Sequence, residues 1–387
     1  MGLSMIALRS RRVPSSADPH PAIGKLAASS PTALPASSRF VQPHPKGYCP
    51  RIADRRAAPI PKAELHLHIE GTLEPELALE VADRNRLPLP YADAAELRAR
   101  YRFHNLQSFL DVYFETMAVL RTEEDFADLA SGYLNRARAQ GVRHAEIFFD
   151  PQAHIERGVP MATVIDGLWS VLAASEERYG ISTRLIMCFL RDRSPVSAME
   201  ALESALPYRD RIVAVGLDSA EVGHPPSEFV ELFDRARREG FRCVAHAGEE
   251  GPPSYIWEAL DLLRVARIDH GNRCLEDPAL VARLRAERVP LTVCPLSNVR
   301  LGAVGRMADH PLPEMIDAGL LVTVNSDDPA YFGGYIDDNY RLIQRDLGID
   351  DAQLLQLAGN SFRAAFLSDA ERAPYLKELE EYSPAAR

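Results

Sequence analysis

No apolar run in this chain approaches the roughly 20 residues needed to cross a bilayer, so no membrane is expected among its partners. Paired cysteines are missing too. The five cysteines, Cys49, Cys188, Cys243, Cys274 and Cys294, are odd in number and scattered, with no Cys-x-x-Cys spacing. They read as reduced, mostly buried thiols of a cytoplasmic protein. A basic body is also lacking. Residues 1–58 carry nine Lys or Arg against Asp18 and Asp54, a balance of +7; of the 44 basic and 55 acidic residues in all, 35 and 53 remain for the rest, a balance of −18. Such a body repels a phosphate backbone, which argues against a nucleic-acid polymer and leaves a small neutral substrate compatible.

What is present is a chain of 387 residues, 46% hydrophobic and 26% charged, long enough for a large core. Its first 58 residues are rich in Ser, Pro, Ala and Arg without periodicity, and are expected to form a disordered extension outside the fold. An acid-poor, Arg- and Ser-rich leader also matches a transit peptide or an over-extended start. From Pro61 onward, strand-like segments (63–68, 142–150, 183–190, 212–219, 242–249, 267–270, 290–295 and 320–327) alternate with helical patterns such as 74–86, 161–179, 228–239, 277–287 and 310–318. Alternation of this kind implies parallel pairing through right-handed crossovers. Eight units predict an α/β fold, a (β/α)8 TIM barrel spanning 59–380 with a helical insertion between strands one and two. An open doubly wound sheet would need a Gly-rich turn after the first strand, and the turn here is Ile-Glu-Gly-Thr. Residues 105–120 of the insertion, with Phe109, Tyr113 and Phe114, fit either a packed surface helix pair or a lid over one barrel end.

The stretch from Pro61 to Thr72, Pro-Lys-Ala-Glu-Leu-His-Leu-His-Ile-Glu-Gly-Thr, organises the rest. In an extended strand His66 and His68 point to one side, a two-imidazole clip suited to zinc or a similar ion. In a barrel of this type chemistry gathers at the C-terminal strand ends. There the sequence places His246 and Glu249 after strand five, His270 after strand six, and Asp327 with Asp328 after strand eight. Each has an unremarkable alternative, such as a core histidine, an acid at a helix start or an Asp cap. Agreement among four strand ends is what those alternatives leave unexplained. The chemistry assigns one zinc to His66, His68, His246 and Asp327, with a position open for water of lowered pKa. Glu249 is then placed as general acid and base, and His270 and Asp328 hold the water and orient the substrate. Some barrels hold a second ion through a modified lysine on strand four; the strand here, Ile-Val-Ala-Val-Gly-Leu-Asp-Ser, has none, so one metal is expected.

The motifs His66-Leu-His68, His246-Ala-Gly-Glu249, Asp269-His270-Gly271 and Ser326-Asp327-Asp328-Pro329 resemble, in order and spacing, the adenosine and adenine deaminase family of metal-dependent hydrolases. The resemblance runs from about Pro61 to about Phe366. It implies zinc at His66, His68, His246 and Asp327, proton transfer to the purine N1 by Glu249, water positioning by His270 and a purine-ring contact from Asp328. Adenosine deaminases follow the His pair with a small residue and Asp, whereas this chain has Ile69-Glu70, whose extra methylene projects into the ribose space. Longer strings, among them Phe148-Phe-Asp-Pro-Gln152 and Ser219-Ala-Glu-Val-Gly-His224, look like the members that act on free adenine, which implies hydrolysis of adenine to hypoxanthine and ammonia. Adenosine or an N6-substituted adenine is the alternative substrate, and a non-catalytic purine- or metal-binding barrel the alternative class. The backbone glycine that touches the purine after strand four in nucleoside deaminases falls here in Ala220-Glu221-Val222-Gly223, leaving open which residue reads the base.

Overall fold

The computed structural model describes residues 59–382. The expected extension, 1–58, lies outside them, as does Cys49. Within the described chain, eight strands hydrogen-bond in sequence order as one parallel sheet: β1 (Lys62–Glu64), β2 (Val142–Phe149), β3 (Ser182–Leu190), β4 (Ile212–Asp218), β5 (Arg242–Ala247), β6 (Arg267–His270), β7 (Pro290–Val293) and β8 (Leu321–Val324). Their side chains are almost continuously buried, because helices cover the outside while side chains fill the interior. This is the expected TIM-like barrel. Among the described residues no helix is long and apolar enough to cross a membrane, and Cys188, Cys243, Cys274 and Cys294 are buried and unpaired.

The seam between the first and last strands departs from regular pairing. The expected strand 63–68 is regular only over Lys62–Glu64. On the side facing β8, side chains stand in for a ladder: Ser361 Oγ accepts from the Ala63 amide and Asn325 Oδ1 from the Leu65 amide, both at 2.8 Å. Main-chain pairing resumes at the rim, where the His68 amide donates to Asp327 O and the Asp327 amide to His66 O, each at 3.1 Å. On the other side of the same segment, the Phe148 amide donates to Leu67 O at 2.8 Å and the Ile69 amide to Phe148 O at 2.9 Å. The barrel thus closes on the segment that carries the histidine pair.

The insertion consists of α1 (Pro75–Asn85), α2 (Ala94–Ala99), α3 (Leu106–Met117) and α4 (Glu123–Ala139). α4 starts with a capping box of Thr122 and Asp125 and buries Phe126, Leu129, Ala130, Tyr133, Leu134 and Ala137 along one stripe. α3 begins on a box of Asn105 and Ser108, and its Phe109 ring lies 4.9 Å from that of Phe332, tying it to the short helix Pro329–Phe332 that follows β8. The helical pattern at 161–179 breaks in two at Ala174 (φ −111°, ψ 14°). Ser175 turns inward there and hydrogen-bonds Thr183 on β3 at 3.0 Å.

Beneath the rim the interior holds a buried polar column. Arg267 donates from Nη1 to Glu146 Oε2 at 2.6 Å and from Nη2 to Leu65 O at 3.1 Å. Burial would raise the Glu146 carboxyl, but Arg267 and His144 outweigh it and hold the group down at about 2. Glu64 accepts from Tyr133 Oη at 2.8 Å and from Ser326. Arg267 is ion-paired with Glu146, and Glu64 is held by hydroxyl donors, as burial of such groups requires.

Candidate metal centre and active site

Three residues that are not glycine adopt left-handed backbone at the rim: Ser219 (φ 72°) after β4, His270 (φ 64°) ending β6, and Asp327 (φ 66°) after β8. Such conformations are strained, and they turn side chains inward where a regular strand would alternate. Gly71 serves the same rim. A Cβ there would stand 2.7 Å from the Asp328 Cα, so only glycine lets the turn after the histidine pair pack on Asp328.

The four expected ligands converge. His66 Nε2 lies 3.3 Å and His68 Nε2 3.6 Å from Asp327 Oδ1, and His68 Nε2 lies 3.3 Å from His246 Nε2. Ligand atoms of His66, His246, His270 and Asp327 also fall within 4.8 Å of one another. The far sides of two rings are anchored. The Thr292 hydroxyl donates to Asp269 Oδ1 at 2.8 Å and so accepts from His66 Nδ1 at 2.9 Å, while His246 Nδ1 donates to Leu217 O at 3.1 Å. Both arrangements leave Nε2 bare toward the centre, as a metal ligand requires. His66 Nε2 is buried with no hydrogen-bond partner. An orphaned nitrogen among imidazoles and a carboxylate fits a borderline divalent ion.

Electrostatics agree with that donor set. Burial, reinforced by neighbouring imidazoles, holds His246 well below the usual histidine range, and burial lowers His68 to about 4. Burial acts against ionised Asp327, but His66, His270 and His68 outweigh it and keep its carboxyl far below the ordinary range. Burial and neighbouring charges thus favour neutral imidazoles at His68 and His246 and an ionised Asp327, the forms that bind a metal.

Glu249 and His270 stand beside this cluster, with His270 Nε2 3.6 Å from Glu249 Oε1 and 3.8 Å from Asp327 Oδ2. Burial, then the charges of Asp327 and Glu221, raise Glu249 well above the usual carboxylate range. Asp328 is raised likewise by burial and then Asp327, and its Oδ1 has no partner. All of these except His66 line one cavity, whose opposite wall is the apolar face of α3: Leu106, Phe109, Leu110, Tyr113 and Phe114. α3 is thus packed into the body and also forms the cavity wall.

Glu70 is placed differently. Its buried carboxylate accepts from His154 Nε2 at 2.8 Å and from the Asp150 amide at 3.2 Å, leaving Oε2 unpartnered, and it does not line the cavity. Two carboxyls passed over in the sequence do line it. Asp150 and Asp218 end β2 and the next strand but one, and face His68 Nδ1 at 4.0 and 3.5 Å. Burial and Glu70 push Asp150 up to about 7, and burial and Asp150 raise Asp218 further. Their position at strand ends was the available signal. Glu221, left open after strand four, takes no part in the cavity wall. Its carboxylate accepts from four backbone amides, those of Gly248, Glu249, Glu250 and Gly251, at 2.7 to 3.0 Å, and so clamps the loop that presents Glu249.

Known proteins bear on this arrangement. Residues 61–382 match the family model described as adenosine deaminase. An adenine deaminase of Streptomyces coelicolor is 66% identical over 331 residues, covering 85% of this chain and 97% of its own. The crystal structure of adenine deaminase from Arthrobacter aurescens superposes with a TM-score of 0.83 at 58% identity, over 84% of this chain and 99% of its own. An amidohydrolase of Burkholderia ambifaria, solved with bound zinc, has a TM-score of 0.77 at 28% identity, over 84% and 91%. With a barrel of this topology, a buried His/Asp metal cluster on its rim and a family match across nearly all its described length, the chain belongs to the adenosine deaminase family.

Proposed function

We propose that this chain is a hydrolase that deaminates adenine, converting adenine and water into hypoxanthine and ammonia, with one zinc ion held by His66, His68, His246 and Asp327. The observation that carries the reading is the seating of two buried proton-handling groups, Glu249 and His270, against that donor set and facing one cavity with an apolar wall. Free adenine as the substrate is supported by the likeness to proteins named adenine deaminase. Zinc is supported by the related amidohydrolase and by the imidazole-rich donors. Bound there, the ion supplies a water of lowered pKa.

The remaining work falls to side chains. Glu249, whose carboxyl burial raises well above the usual carboxylate range, gives a proton to the purine N1 and draws electron density from C6. The carboxylate so formed takes one proton of the attacking water and passes it to the amino group, which leaves as ammonia, and the proton remaining on the C6 oxygen returns to Glu249 as the carbonyl of hypoxanthine forms. His270 holds the attacking oxygen, and Asp328, its carboxyl raised by burial and Asp327, contacts a ring nitrogen. Glu70 bears on the direction in which a ribose would extend from behind the cavity wall, through the Asp150 amide that it holds beside the lining Asp150 carboxyl. The four buried thiols suit a reducing cytoplasm.

The test is ammonia release from adenine, adenosine and N6-methyladenine at equal concentrations, on protein of measured zinc content. We expect kcat/KM for adenine to exceed that for adenosine by at least about 100-fold, the scale on which a mismatched buried polar site discriminates. A preference for adenosine would overturn the role of Glu70. Absence of turnover on all three with zinc bound would overturn the reading. Glu249→Gln should lower kcat by at least about 10³-fold at unchanged zinc stoichiometry, since its proton transfers are lost.

A further inference from the structure

We propose that Asn298 and His310 form a hydrogen-bond relay that fixes His270 in one tautomer, with its proton on Nε2, making Asn298 a positioning residue for the attacking oxygen. The inference rests on the role given above to His270.

Each link has only one direction. The relay begins at the Leu312 backbone N–H, which can only donate, and it reaches His310 Nδ1 at 3.1 Å. That nitrogen is therefore bare, and the His310 proton sits on Nε2, which donates to Asn298 Oδ1 at 3.1 Å. Asn298 is held this way round and cannot flip its amide without setting two donors against each other. Its Nδ2 consequently donates to His270 Nδ1 at 3.2 Å. With Nδ1 occupied as an acceptor, His270 carries its proton on Nε2, the atom turned toward Glu249 and Asp327.

Two consequences follow. A protonated Nε2 has no lone pair for a metal, which sets His270 apart from His66 and His246, whose far nitrogens face an acceptor. With His68 added, the cluster then resolves into three imidazole ligands (His66, His68 and His246), one carboxylate (Asp327) and one imidazole donor (His270). The donor is aimed where an incoming oxygen gains charge, so its orientation acts on the transition state more than on substrate binding. The relay is insulated from water: His270, Asn298 and His310 are all buried. Burial also lowers His310 to about 4, keeping that ring neutral with a single N–H at working pH.

The experiment combines ring-nitrogen NMR with kinetics on zinc-loaded, full-length protein labelled with ¹⁵N-histidine, the His270 signals being assigned by their loss in His270→Gln. In the wild type, Nδ1 of His270 should appear unprotonated and Nε2 protonated. A protonated Nδ1 there would overturn the relay whatever the substrate proves to be. Asn298→Asp keeps the shape but offers acceptors only; it should protonate His270 Nδ1 and lower kcat by about 10²–10³-fold with KM within about threefold. A purely structural Asn298 predicts wild-type kcat in that variant, and this result would overturn the proposal. His310→Leu should lower kcat at least tenfold, and His310→Gln, which retains a donor at the Nε2 position, should recover most of that loss. Equal losses in the two would count against the relay. Kinetics are read on whichever purine the wild type turns over, so failure of adenine as substrate is distinguished from failure of the relay.

Discussion

A single carboxylate shows how finely the rim is set. Glu221 accepts four backbone N–H donors and thereby fixes the loop of Glu249. Glu221→Gln replaces one acceptor oxygen with an NH2 that opposes some of those donors. The expected result is a loss of stability of about 1–3 kcal/mol in urea denaturation, with a fall in kcat of at least tenfold and zinc content unchanged. The metal donors and Glu249 were legible in the sequence because their type and spacing, His-x-His and His-x-x-Glu at strand ends, state their chemistry. Asp150, Asp218 and Glu221 were not. An acid at a strand end reads equally as a cap or a solvated turn, and only the folded rim, with left-handed backbone at Ser219, His270 and Asp327, shows which side chains face the cavity. That irregularity is a property of the closed barrel, and residue type alone does not announce it.

At the level of elements, the alternation of strands and helices was legible because burial on both faces writes continuous apolar runs into parallel strands. The seam was less so: a run that looks like one strand over 63–68 is completed by the side chains of Asn325 and Ser361. Asn325→Leu leaves the buried Leu65 amide without an acceptor and should cost about 1–3 kcal/mol, measured by chemical denaturation. β1 also contains Lys62, which is buried, bonded to Gln140 O at 2.7 Å and to Asp337 at 3.3 Å, and lowered by burial to about 8. Between about pH 8 and 10.5 the unfolded chain keeps this proton and the folded chain has released it. The Lys62 contribution to stability therefore rises with pH across that window. Wild type minus Lys62→Met, followed by urea denaturation from pH 7.5 to 10, should show the rise; a flat difference would count against a depressed lysine.

For the whole molecule, a buried donor set assembled only in the folded chain makes metal affinity and folding stability parts of one equilibrium. Chelation should lower the thermal midpoint by several degrees, and stoichiometric zinc should restore it, because without the ion the imidazoles and Asp327 remain buried with Nε2 of His66 unpaired. Calorimetry with and without a chelator checks this, and an unchanged midpoint would argue against a resident ion at the rim. The barrel is therefore expected to behave as one cooperative unit whose stability reports its metal content.

The closing seam joins His66 and His68 to Asp327, 261 residues after the first of them. Translation proceeds at about 5–20 residues per second, so the two histidines emerge from the ribosome on the order of 10–50 s before their carboxylate partner is synthesised. A nascent or prematurely terminated chain can expose imidazoles but cannot complete the ligand set. Ion loading at full affinity is thereby deferred to the end of synthesis, and an unfinished chain has no means of becoming an active deaminase.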